Sequence, residues 1–242
     1  MLSAQFVIGA IAVAVVMFAA STSAIVEAFR SENELFAGYH VQFAINAAVS
    51  DAMQFCIPII CTLPFTASYV DDLKSNFVRY YLCRSSRRGY IAAKITGCAV
   101  SGGTVLLCGI LLAYIAAALL FIPIEEPPAE GASRFMMLPQ LLSQCIFVFL
   151  SGALWALVGM LLSTAMESKY IAYASPFVIY YILIILHERY LDRIFVLYPK
   201  EWIVPASNWV LGKWGAAILV TELIALAAAL FSARADRRLR QL

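Results

Sequence analysis

The chain has 242 residues and a formal net charge of +2, and its composition is 63% hydrophobic and only 13% charged. Soluble globular domains are roughly 45–50% apolar and about 25% charged, and in water a domain of this length needs a polar exterior. The composition therefore excludes an ordinary soluble protein and predicts a single integral membrane domain over residues 1–242.

Six apolar runs follow one another along the chain, at residues 4–26, 52–70, 95–122, 138–162, 170–186 and 214–233. Each can form a spanning helix, because crossing about 30 Å of hydrocarbon takes roughly 20 apolar residues. The second run contains Pro58 and Pro64, which predict a bent helix. Gly102 in run three and Gly152 in run four predict close contacts between helices. We therefore expect an all-α protein with six transmembrane helices.

The distribution of basic residues predicts the orientation of these spans. Eleven of the 17 Lys and Arg residues lie between runs two and three, between runs four and five, or in the C-terminal tail. An excess of basic residues marks the cytoplasmic side of a membrane protein. Both termini are then cytoplasmic, which an even number of spans requires.

The sequence contains no recognisable motif for a metal site, a disulfide framework or a phosphate-binding loop. The six cysteines show no C-x-x-C or His-paired spacing, so we expect neither a metal site nor a disulfide framework. No G-x-x-x-x-G-K-[ST] phosphate loop occurs, since Gly212-Lys213 has Ser207 where the upstream glycine should stand. The sequence therefore predicts no catalytic residue, no bound cofactor and no nucleic-acid partner.

The connection at residues 71–94 is the most informative polar segment. Asp71 or Asp72 can cap a short helix, because their carboxylates accept hydrogen bonds from free N–H groups. Phe77, Tyr80 and Tyr81 then share one side of that helix. This pattern favours an amphipathic helix that docks a protein at the cytoplasmic surface. The alternative is a basic loop that only contacts anionic membrane lipids.

The order of these features resembles the permease subunits of bacterial ABC-2-type (type V fold) ABC transporters. The resemblance is carried by Asp71-Asp72, the basic-hydroxyl-basic stretch at residues 84–88, and Tyr90 and Lys94 before span three. It implies a cytoplasmic coupling helix between spans two and three. It also implies short external helices between spans five and six, at residues 187–213.

The resemblance further implies a multi-pass permease subunit of the plasma membrane, without an ATPase site of its own. Its partners would be a second permease, identical or homologous, and separate ABC ATPase subunits that bind ATP and Mg, with export as the favoured direction. On this basis we assign the ATPase contact to five residues: Asp72, Phe77, Arg79, Tyr80 and Arg84. The alternative function is a membrane sensor or immunity-type protein that captures a ligand without pumping it.

Two further features of the spans carry hypotheses. Glu222 lies in the sixth run, where a carboxylate is costly and usually faces the bundle or a watery cavity. It is either a substrate or gating contact, or a hydrogen-bonded acid that packs helices. Ser151 with His187 as a base suggests an intramembrane hydrolase, but Phe149 and Leu150 precede Ser151 where small residues are expected.

Overall fold

The computed structural model describes residues 3–30, 35–75, 77–82, 86–127, 135–191, 193–205, 209 and 211–241, without the side chains of Arg79 and Leu82. Within these ranges the chain is helical and forms no strand. The α-helices are α1 Ala4–Ala20, α2 Thr22–Arg30, α3 Tyr39–Ala48, α4 Asp51–Ile60, α5 Ser68–Lys74, α6 Phe77–Leu82, α7 Arg87–Phe121, α8 Leu138–Met166, α9 Lys169–Tyr190 and α10 Lys213–Leu239. Two 3₁₀ helices, Phe195–Leu197 and Pro199–Trp202, lie between α9 and α10.

Four helices, α7 to α10, are long and apolar enough to cross a membrane by themselves. Two bent pairs reach the same length and apolarity when each is taken as one span: α1 with α2, bent by 54°, and α3 with α4, bent by 61°. The described part of the chain therefore has four to six candidate spans. This confirms the expectation of an all-helical, multi-pass membrane protein. Runs four to six each fall within one long helix, and run three does so except for its last residue, Ile122.

The first apolar run is interrupted in the structure. α1 ends at Ala20, and the chain turns at Ser21 before α2 begins. The Thr22 hydroxyl donates a hydrogen bond to the Ala19 carbonyl at 3.2 Å. Such side-chain bonds compete with the helical backbone ladder and bend helices. The first run, predicted as one spanning helix over residues 4–26, is therefore a bent pair of helices.

The second run is broken at the position that Pro64 dictates. A proline ring clashes with the carbonyl four residues earlier, and α4 ends at that residue, Ile60. Residues 61–67 form successive turns before α5 begins at Ser68. Thr62 and Thr66 are fully buried in this segment, and the Thr62 hydroxyl bonds the Ile59 carbonyl at 2.7 Å. The predicted bend is thus an unwound stretch shielded by protein, as irregular backbone at membrane depth must be.

Helix α3 has no counterpart among the predicted runs. Seven of its ten residues are buried, and it packs against α7, α8 and α1. The ring centroid of Phe43 in α3 lies 5.1 Å from that of Phe121 and 5.6 Å from that of Phe18. α3 therefore adds a buried helix that joins the end of α1 to the end of α7.

Side-chain contacts sort the helix termini into two groups, one at each end of the bundle. At the Asp72 end, Asp72 contacts Lys94 of α7, Asp71 contacts Lys169 of α9, and Glu167 at the end of α8 contacts Arg238 of α10. At the Glu125 end, Glu125 contacts His40 of α3, and Asp51 of α4 contacts Lys200 at 3.1 Å. Helices α7 to α10 therefore alternate in direction.

Glycine lets α7 and α8 approach each other closely. A Cβ atom added at Gly102 would lie 2.9 Å from the Gly152 carbonyl oxygen, and one at Gly152 would lie 2.7 Å from the Gly102 oxygen. Neither helix can therefore carry a side chain at this crossing. The predicted close helix contacts at Gly102 and at Gly152 are confirmed, and the structure shows that the two glycines pack against each other.

Replacing Gly152 with leucine is expected to destabilise the bundle by about 1–3 kcal/mol, because overpacking forces helices apart. The measurement is the midpoint of thermal unfolding in mild detergent. Ala93→Leu is the matched control, since Ala93 is exposed on α7 and surface changes usually alter stability by less than about 0.5 kcal/mol. Equal midpoints for the two variants would contradict the close crossing.

Candidate functional site

The segment at residues 71–94 contains the end of α5, the whole of α6 and the start of α7, and not the single short helix expected. α5 begins at Ser68, so Asp71 and Asp72 lie inside it and do not cap a helix. α6 follows and is anchored by Val78, which is 1% exposed and packs in a cluster with Tyr69 and Tyr90. The start of α7 is capped by Ser86, whose hydroxyl oxygen accepts from the Gly89 N–H at 3.1 Å.

Asp72 ties α5 to α7. Its Oδ2 accepts a hydrogen bond from the Tyr90 hydroxyl at 2.8 Å and lies 2.8 Å from Lys94 Nζ. Lys94 also donates to the Ser68 carbonyl at 3.3 Å and lies over the Phe65 ring, 5.0 Å from its centroid. Because the Asp72 and Lys94 side chains are only 20% and 12% exposed, this pair is shielded from solvent. Asp72 therefore fixes the position of α5 relative to α7.

The outer side of α6 presents aromatic rings to the surroundings. Phe77 is 49% exposed and Tyr80 is 77% exposed. Phe77 stacks on Tyr81, with 5.6 Å between the ring centroids. Large exposed aromatic side chains are typical of protein-binding surfaces. Helix α6 therefore has a buried anchor, Val78, on one side and the exposed rings of Phe77 and Tyr80 on the other.

A cleft of about 550 Å³ opens beside these rings. Its walls carry both charge signs and one aromatic ring, and they come from α5, α6 and the start of α9. The lining residues are Asp71, Asp72, Lys74, Ser75, Phe77 and Lys169. Asp71 and Lys169 form an ion pair across it at 2.5 Å. The surface formed by this cleft together with Tyr80 is called the α6 surface below.

Three of the five residues assigned to the ATPase contact, Asp72, Phe77 and Tyr80, have described side chains at the α6 surface. Arg79 lies in α6, but its side chain is outside the described residues, as is the whole of Arg84. Asp72 and Phe77 line the cleft and Tyr80 lies on the adjoining helix. The structure therefore brings the three described residues together, with Asp72 in a positioning role and the two rings exposed.

A second polar cluster, at the Glu125 end, was not predicted from the sequence. Glu125 Oε1 accepts from the His40 backbone N–H at 2.7 Å and lies 2.7 Å from His40 Nδ1. Glu125 Oε2 accepts from the Gly38 N–H at 3.1 Å. Both side chains are fully shielded from solvent. A carboxylate from the end of α7 thereby caps the first turn of α3, where the positive end of the helix dipole favours an anion.

The ionisation of Glu125 follows from these contacts. Burial raises the pKa of a carboxyl, but the hydrogen bonds from the His40 backbone, the His40 ring and the Gly38 backbone outweigh it and lower the pKa of Glu125 below 4.5. An ionised Glu125 only accepts hydrogen bonds, so the proton on His40 must be at Nδ1. The pair thus locks α3 onto the end of α7.

Local signals at α3 were present in the sequence but could not identify this pair. Gly38, the residue before α3, has φ = 94°, a conformation that glycine adopts without strain. It also leaves the helix without a capping side chain, since glycine has none. The first turn of α3 therefore lacks a local acceptor for its backbone N–H groups. Nothing in the neighbouring sequence shows that Glu125 is the residue that supplies one.

The remaining sequence candidates lie elsewhere in the fold. Glu222 is exposed on α10 and does not face the bundle, so within one chain its carboxylate packs no helices. Ser151 is fully buried in α8. His187 stacks on Tyr198 with 4.4 Å between the ring centroids, at the Glu125 end. Among the described residues, no group of three or more His, Cys, Asp and Glu side chains is placed to hold a metal ion.

Comparisons of the chain with protein-family models, with curated proteins and with solved structures give no match. The function is therefore inferred from the residues and the geometry of the site.

Proposed function

We propose that the chain is the transmembrane permease subunit of an ATP-driven ABC transporter, working as a dimer and coupled to separate ATPase subunits. The observation that carries the proposal is the α6 surface. An amphipathic helix with exposed Phe77 and Tyr80 stands beside a charged cleft, at the end of the bundle where most basic residues lie. Such a surface suits the docking of a partner protein better than contact with lipid alone.

The contacts of Asp72 with α7 explain how motion of the α6 surface would reach the membrane-spanning helices. A partner that moves α6 would act on α5, and the Asp72–Lys94 and Asp72–Tyr90 contacts would pass that motion to α7. Closure of the ATPase subunits on ATP would thus tilt the helices before and after the α6 surface. In a dimer this displacement would reopen the central pathway to the other side of the membrane, with export as the favoured direction.

The proposed topology has six spans, with the Asp72 end and both termini in the cytoplasm. The bent pairs of α1 with α2 and of α3 with α4, and the break between α4 and α5, would lie in the first two spans. The 3₁₀ helices Phe195–Leu197 and Pro199–Trp202 would then be the short external helices between spans five and six. The basic residues of the Asp72 end favour this orientation.

The test is purification of the tagged full-length chain from its native membrane in mild detergent, followed by identification of the chains that come with it. An ATP-binding subunit in stoichiometric amount, with ATPase activity in the complex, is the expected result. Purification as a stable chain with no ATP-binding subunit, at several detergent concentrations, would overturn the proposal and favour the sensor function.

A further inference from the structure

A second cleft at the Asp72 end lies between the first turns of α7 and the last turns of α10. Its volume is about 480 Å³, within the range of roughly 300–1,000 Å³ that is usual for ligand sites. One part of its wall is charged, and the rest is apolar apart from Ser232. Its lining includes Arg88, Ile91, Ile95, Ala229, Asp236 and Arg240.

The charged part of the cleft is basic on balance. Arg240 is held by Asp236 four residues earlier, with 2.8 Å from Nε and 2.6 Å from Nη2 to Asp236 Oδ2. This pairs the guanidinium with a carboxylate and offsets one of the two arginine charges, so Arg88 and Arg240 leave the cleft with net positive charge. Guanidinium groups carry further N–H donors in a planar fork that matches phosphate oxygens.

The apolar part of the cleft leads away from the arginines along the helices. Arg88 is the second residue of α7, and Ile91 and Ile95 follow one and two turns further along it. Ala229 lies three turns before Arg240, the residue that directly follows α10. The cleft is therefore basic where the two candidate spans begin and end, and apolar where they would enter hydrocarbon. This is the polarity of one phospholipid molecule.

We propose that this cleft binds an anionic phospholipid, with the headgroup phosphate at Arg88 and Arg240 and the upper part of an acyl chain against Ile91, Ile95 and Ala229. A free phosphate ion would use only the basic part and leave the apolar wall in water. Basic pockets between spans on the cytoplasmic side are suited to anionic headgroups. The proposal depends on a membrane location and is independent of the transporter assignment.

The test compares lipid binding to the purified chain by native mass spectrometry, with phosphatidylglycerol, phosphatidylcholine of the same acyl chains, and inorganic phosphate as probes. Phosphatidylglycerol is expected to bind in preference to phosphatidylcholine. The double variant Arg88→Gln/Arg240→Gln is expected to lose about tenfold or more of that binding, because charge-assisted hydrogen bonds are lost.

The matched control is Arg87→Gln/Arg234→Gln, which removes the same formal charge at two exposed arginines that do not line the cleft. It is expected to bind phosphatidylglycerol like the wild type. A second variant, Ile95→Trp, fills the apolar wall without changing charge and is expected to weaken phosphatidylglycerol binding as well. Thermal unfolding of each variant in phosphatidylcholine checks that it is folded.

Three outcomes would overturn the proposal. Equal losses of phosphatidylglycerol binding in the two double variants would show that the lipid is attracted to basic charge in general and not to this cleft. Displacement of phosphatidylglycerol by inorganic phosphate, with Ile95→Trp unaffected, would show a site for a soluble anion. Undiminished binding to a folded Arg88→Gln/Arg240→Gln variant would place the lipid elsewhere.

Discussion

Replacing Phe77 and Tyr80 together with alanine should weaken binding of the proposed ATPase subunit by about 30-fold or more, while the chain still inserts and folds. Both rings are exposed, so their loss opens no cavity, whereas truncation of central aromatic anchors in an interface typically costs about 2 kcal/mol or more. The measurement is retention of the ATPase subunit on the purified chain, together with the transport-coupled rate of ATP hydrolysis.

The control pair for this experiment lies at the opposite end of the bundle. Phe36 is 47% exposed and Tyr190 is 74% exposed, which matches Phe77 and Tyr80 in residue type and exposure. Phe36→Ala/Tyr190→Ala is expected to leave the complex intact. Unchanged coupling in the Phe77→Ala/Tyr80→Ala variant would remove the α6 surface as the docking site, even if an ATPase subunit still co-purified.

Glu125→Gln should destabilise the folded chain by about 3 kcal/mol at pH 7. The amide replaces a charged acceptor of three hydrogen bonds, those from the Gly38 N–H, the His40 N–H and His40 Nδ1. Hydrogen bonds to charged groups are worth roughly 1.5–3 kcal/mol each, and a buried donor left without an acceptor adds its desolvation cost. The measurement is the unfolding midpoint in detergent, with Glu126→Gln as the control because Glu126 is exposed.

The same pair predicts a pH dependence. The folded chain holds the pKa of Glu125 below its ordinary value of 4.5, so protons bind more readily to the unfolded state. The stabilisation is therefore complete above pH 4.5 and is lost as the pH falls through the lowered value. The difference between wild type and Glu125→Gln should shrink over that acidic range. A difference that stays constant down to the acid limit would show that Glu125 is not ionised in the fold.

The long helices could be predicted from the sequence because hydrocarbon thickness sets their length. α8 begins at Leu138 and α9 at Lys169, within one residue of the predicted runs. The break after α4 was also foreseeable in part, since Pro64 excludes a regular helix through Ile60. In these places the cause lies within a few residues of the effect, so the sequence pattern is sufficient.

The parts that were missed depend on contacts between distant residues. α3 contains His40, Gln42 and Asn46 and is too short to span, so its pattern favours a loop. It is helical and buried because α7 and α8 cover it and Glu125, 85 residues away from His40, caps it. Helical spacing placed Phe77 and Tyr80 on one side of a helix. The inward Asp72–Tyr90–Lys94 network was not predicted, since it needs the start of α7.

The unwound stretch at residues 61–67 also bears on how the chain is made. The Cys61 carbonyl lies against Gly102 of α7, 3.1 Å from where a Cβ would stand, so later parts of the chain cover this backbone. When residues 61–67 leave the ribosome, α7 and α8 have not yet emerged from it. Freed carbonyl groups cannot face lipid alone, so we expect this segment to stay in a wet or protein-lined environment until α7 and α8 arrive. The first half of the chain would then finish inserting into the membrane only after α7 and α8 have packed against it.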